Sequence, residues 1–68
     1  MSNTWIGEGP THCDICDKPL QCVFVDGKTV AKSWAIMCPY CHDLYGVGLG
    51  DGLGQMYVKL DDGSWVSE

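Results

Sequence analysis

The chain has 68 residues, a formal net charge of -5 and no arginine, its four basic residues all being lysines. That length allows one domain, too small to bury a comfortable apolar core by itself, so a metal or disulfides are expected to help. The acidic balance argues against nucleic acid, which is normally held by clustered Lys and Arg. No apolar run reaches the ~18 residues of a membrane span.

Residues 1–11 read as a flexible lead-in to a single domain over 12–68, with Trp5 and Ile6 expected to pack back on it. The lead-in lacks the basic start and apolar run of a secretory signal, which points to a reducing cytoplasm. A first Cys-x-x-Cys hook follows, Cys13-Asp14-Ile15-Cys16. Residues 20–25 are rich in β-formers and predict a strand. Asp26-Gly27 predicts a two-residue hairpin turn, and residues 29–37 the return strand. That strand delivers the chain to a second hook, Cys38-Pro39-Tyr40-Cys41.

Beyond the second hook no helix is expected. Glycine occupies every second position at Gly46, Gly48, Gly50, Gly52 and Gly54. An extended run would place these on one face, with Val47, Leu49, Asp51, Leu53 and Gln55 on the other. Residues 55–60 then predict a strand, 61–64 a turn, and Trp65-Val66 a short final strand. Phe24 and Trp34 are expected in the core, and Tyr40 and Trp65 at the surface.

Two such hooks separated by 21 residues are the pattern of a closed tetrahedral site, Cys13, Cys16, Cys38 and Cys41 holding one structural Zn2+ at ~2.3 Å per sulfur. Four thiolates would also hold iron. A zinc ion on four thiolates adds -2, taking the protein to about -7. With every coordination position filled by sulfur, no position is left for a substrate or a water, and no other catalytic constellation is evident. Asp17 and His42, each just after a hook, suit the positive φ that often ends such a turn. His42 and His12 are therefore not needed as ligands, and Cys22 reads as a core residue in an apolar strand.

Two resemblances bear on function. Cys38-Pro39-Tyr40-Cys41 is identical to the active-site tetrapeptide of glutaredoxins, implying thiol-disulfide chemistry. The required βαβ start is missing, no proline follows Pro39, and the other hook would be left unexplained. The paired hooks around a hairpin resemble a zinc ribbon, and Cys13 to Leu20 (C-D-I-C-D-K-P-L) looks like its first knuckle with Asp17 in place of glycine. From Cys13 to Tyr57 the chain looks like small, mostly uncharacterised phage and prophage proteins. The shared features are Phe24-Val25-Asp26-Gly27, Trp34 to Cys38, Cys41-His42 and the glycine-rich stretch running into Gln55-Met56-Tyr57. The resemblance implies a small β-rich zinc ribbon with an added C-terminal hairpin, encoded by a phage and working in a bacterial cytoplasm. It implies no activity.

The function expected is thus a non-catalytic protein-interaction module acting on a host protein. Its surface is expected to use Gly48, Gly50, Gly52, Tyr40 and Trp65, aromatics without neighbouring cations suiting a protein interface. Nucleic-acid binding through the ribbon and a CPYC redox role are the alternatives.

Overall fold

The computed structural model describes residues 4–67. Four strands and one helix follow in the order β1 (Val23–Lys28), β2 (Trp34–Met37), α1 (Pro39–Tyr45), β3 (Gly54–Lys59) and β4 (Trp65–Ser67). The strands form one sheet in the order β2-β1-β3-β4. All three pairings are antiparallel. The expected C-terminal hairpin is β3-β4, and β3 joins it directly to β1.

β1 is the central strand, and its alternation divides the interior. Val25 turns to one face, where it packs with Met37, Cys13 and Cys41. Phe24 turns to the other, against Tyr57 and Trp65. Successive side chains of a strand point to opposite faces, so adjacent residues serve two different clusters.

Asp26 and Gly27 do not form the expected turn. Both lie inside β1, opposite Ile36 and Ala35 of β2 and opposite Gln55 and Gly54 of β3. The reversal comes later, over 29–33. The Thr29 N–H and hydroxyl both donate to the Ser33 carbonyl (2.8 and 3.0 Å), and Lys32 supplies the left-handed residue at φ 70°. The Asp-Gly pair serves cross-strand contacts instead. A Cβ on Gly27 would sit 2.9 Å from the Leu53 carbonyl oxygen and 3.1 Å from Gly54 Cα, so glycine permits the close approach of β1 and β3. The Asp26 carboxylate accepts a 2.6 Å hydrogen bond from the Trp34 indole.

The second correction is α1. Cys38 is its N-cap, Pro39 opens the first turn, and the Gly46 N–H closes it on the His42 carbonyl at 2.9 Å. Proline suits a first helical position because its missing N–H is not needed there. His42 is therefore helical and does not take the positive φ expected of it, whereas Asp17 does, at 62°.

The glycine-rich run is not an extended face either. Gly48, Gly50 and Gly52 have φ of 132°, 118° and 76°, which bend the chain into a loop. The loop is closed by hydrogen bonds in both directions between the Gly50 and Gly54 backbones, 2.8 and 3.0 Å.

Aromatic placement differs from expectation as well. Trp65 is 6% exposed and belongs to the aromatic cluster, and Trp34 is 54% exposed at the end of β2. The Phe24 and Tyr57 rings stack at 5.0 Å, and Trp65 meets Phe24 edge-on at 4.7 Å. Trp5 closes this cluster, edge-on to Phe24 and Tyr57 at 5.5 and 5.2 Å, and its N–H donates to the Trp65 carbonyl. Ile6 does not pack back but is exposed. No helix among the described residues is long and apolar enough to cross a membrane.

Candidate metal centre

The first hook is a tight loop before β1. The Asp17 N–H donates to the Cys13 carbonyl, and the Cys13 N–H to the Lys18 carbonyl, both at 3.0 Å. Asp17 at positive φ turns the chain where glycine is commoner. Aspartate is among the residues that tolerate this region best. The loop is pinned to β2 from both directions. The Asp14 N–H donates to the Ile36 carbonyl at 2.8 Å, and the Asp14 carboxylate accepts from the Ile36 N–H at 2.9 Å. Those bonds set the first hook beside the strand that ends at Met37, one residue before the second hook.

The second hook is built differently. Cys38 caps α1 and Cys41 lies in its first turn, so the helical rise turns both sulfurs to one side. Cys38 Sγ accepts from the Cys41 N–H at 3.5 Å, and Cys13 Sγ accepts from the Ile15 N–H at 3.4 Å. Backbone amides thus aim at sulfur in both hooks, as they do where a thiolate must be stabilised.

The four sulfurs of Cys13, Cys16, Cys38 and Cys41 lie within 4.8 Å of one another. Cys16 Sγ and Cys38 Sγ are 3.8 Å apart. A regular tetrahedron with metal–sulfur bonds of ~2.3 Å has edges of about 3.8 Å, so this edge already has the length a bound ion requires. The donor set is all-thiolate, which suits zinc and iron alike.

Burial divides the four cysteines. Cys13 and Cys41 are 1% and 2% exposed, inside the cluster with Val25 and Met37. Cys16 and Cys38 are half-buried. Charge divides them differently. Burial pushes the Cys13 thiol up, but the N–H groups of Cys16, Cys38 and Ile15, with the Cys16 thiol, outweigh it and bring the pKa down to about 6. Burial also pushes Cys41 up, and hydrogen bonding to Cys38, Cys13 and Cys16 with repulsion from the Cys13 charge takes it to about 12. In the metal-free cage negative charge therefore favours Cys13 and a proton favours Cys41. A dication would displace that proton.

The remaining candidates lie elsewhere. His12 is exposed, with Nδ1 2.9 Å from the Thr11 hydroxyl, and His42 Nε2 is 3.3 Å from the Gly48 carbonyl oxygen. Cys22 is exposed rather than in the core, because β1 begins one residue after it. Of the expected contact residues, Tyr40 is exposed on α1, and Gly50 and Gly52 are exposed in the loop. Gly48 is half-buried, and Trp65 is buried on the aromatic side of β1, so these residues do not form one surface.

A feature missed in the sequence is an open, mostly apolar groove of about 390 Å3 beside the cage, lined by Pro19, Leu20, Cys22, Val23, Cys38 and Tyr40 among others. Recognising α1 would have exposed it, since the helix presents Tyr40 outward next to its cap. No family model, curated protein or solved structure matches the chain.

Proposed function

We propose that this protein is a non-catalytic zinc module that binds another protein, the partner being a host protein if the chain is phage-encoded as its resemblance implies. The reading rests on one observation, four cysteine sulfurs within 4.8 Å of one another. An ion held by all four has no coordination position for water or substrate, so it serves as scaffold. Cys13, Cys16, Cys38 and Cys41 would hold it. Bound zinc would supply the cross-link between the first loop and α1 that a chain this short lacks.

The protein-binding half of the proposal draws on exposed apolar side chains around α1. Tyr40 and Leu44 are exposed one helical turn apart, and Leu49 and Leu53 are exposed in the loop beyond. This replaces the flat glycine face expected from the sequence.

The thiol-disulfide reading gains a helix, since Cys38 does cap one. It still leaves Cys13 and Cys16 within ligand distance of the same sulfurs without a role.

The test is affinity capture of the tagged, zinc-loaded protein from bacterial lysate, with nuclease, comparing the natural chain with Tyr40→Ser/Leu44→Ser. A host protein retained by the natural chain and lost by the variant, at unchanged zinc content, supports the proposal. Capture abolished by nuclease assigns the binding to nucleic acid. Purification without metal and with a reactive Cys38 thiolate favours the redox reading.

A further inference from the structure

The four ligands are not equally open to chemistry. Cys13 and Cys41 are sealed at 1% and 2% exposure, whereas Cys16 and Cys38 are half-buried. The sulfurs of these two half-buried residues are also neighbours, 3.8 Å apart. Cys38 lies in the wall of the open groove beside α1. Metal-bound cysteine is deprotonated, and the thiolate is the form that reacts with peroxides.

We infer that the Cys16–Cys38 edge is a site of oxidative modification, at which a hydroperoxide joins the two hooks by a disulfide and expels the metal. The inference rests on the four-thiolate metal reading above. In the first step one thiolate of the edge attacks the peroxide, breaking the O–O bond. Sulfur gains an OH group as sulfenic acid, and hydroxide or alkoxide departs and takes a proton from a buffer acid in solution. In the second step the other thiolate attacks the sulfenic sulfur and displaces hydroxide, which takes a second proton from the buffer. Two thiolates lose two electrons, and hydrogen peroxide becomes two waters. Exposure and distance favour this pairing, because Cys16 and Cys38 are the two half-buried residues of the four and their sulfurs are 3.8 Å apart. Cys13 and Cys41 remain as thiolates or thiols, and two sulfurs are too few to retain the ion.

The tryptic map separates this product from its rivals. Lys18 is followed by proline and resists trypsin, so Cys13, Cys16 and Cys22 stay together in fragment 1–28, while Cys38 and Cys41 fall in fragment 33–59. The zinc-loaded protein is treated with less than one equivalent of hydrogen peroxide in the presence of a zinc indicator. It is then alkylated, digested without reductant and analysed by fragmentation mass spectrometry. The expected product links fragment 1–28 to fragment 33–59 through Cys16 and Cys38, with Cys13, Cys22 and Cys41 alkylated. Zinc appears in step with the link, and a thiol reductant with added zinc restores the starting state. A disulfide within either hook, a link through Cys22, or zinc loss without a disulfide would overturn the inference. So would zinc retention under peroxide. If the purified protein binds no metal before peroxide is added, the failure belongs to the metal reading, and the two are told apart at that step.

Discussion

The two faces of β1 are held together by different physics. On one face Val25 and Met37 pack against Cys13 and Cys41, a cluster with a four-sulfur cage at its edge. On the other, Phe24, Tyr57 and Trp65 form an aromatic cluster closed by Trp5. The aromatic side gains from burial and from ring contacts worth ~0.5–1.5 kcal/mol each beyond area. The cage side has few large apolar groups, and it crowds together thiols whose burial opposes ionisation. The lesson is that a 68-residue domain can set a face that packs itself against a face built around four sulfurs at metal-binding distance.

The largest effect should come from removing the metal. Structural zinc on thiolates is worth ~10–16 kcal/mol in small domains, comparable with or larger than the ~5–15 kcal/mol stability of a whole domain. A strong chelator should therefore unfold the protein, read by circular dichroism and Trp fluorescence, and Cys16→Ser should lose metal and fold together. A fold unchanged by chelation would show that the cage face also packs by itself.

The same centre should show a pH signature. Cys41, raised to about 12 when metal-free, is protonated at pH 7, so metal must displace its proton and affinity falls as pH falls. Cys13, lowered to about 6, begins to compete only below that pH. Each displaced proton changes affinity about tenfold per pH unit. The sign follows from the bound thiolates, whose pKa values the ion holds below those of the unfolded chain. Their contribution is complete above the unfolded thiol value and is lost as pH falls. Log affinity measured against a chromophoric chelator should steepen by one proton below about pH 6. A slope that stays constant from pH 8 to pH 5 would contradict the unequal thiols.

On the other face, Phe24→Ala should cost ~3–5 kcal/mol, seen as a lower denaturation midpoint of the zinc-loaded protein, while the folded fraction keeps its metal. Loss of metal from that folded fraction would mean the two faces are not separable.

A smaller loss, ~1–3 kcal/mol, is expected from Gly27→Ala. Its Cβ would meet the Leu53 carbonyl and the Gly54 backbone, pushing β1 and β3 apart under both faces at once. Unchanged thermal unfolding would show that this close approach is not needed.

Some of this was plain in the residues and some was not. The four-cysteine cluster was legible because Cys-x-x-Cys spacing is local: two sulfurs on one turn can reach one ion whatever the rest of the fold does. The β3-β4 hairpin was legible from its turn residues and flanking β-formers, and Asp17 from its place after the first hook. The helix carries its own signals, Pro39 at the start and Gly46 at the end, but Pro39 also lies inside the second hook and Gly46 also opens the alternating glycines, which mask them. Asp26-Gly27 has the chemistry of a hairpin turn, yet pairing on both sides held it in a strand.

By itself, then, the sequence determined the donor atoms, their number and the acidic charge, since these depend on residue type and short spacing. The tertiary structure decided which indole is buried. Trp65 enters the core because β4 pairs with β3 and Trp5 returns over it, while Trp34 stays outside, bonded to Asp26. It also decided which cysteines face solvent. Burial depends on what a distant segment brings alongside, and here that is set by the bonds of Asp14 to Ile36 and by the register of β1 with both its neighbours.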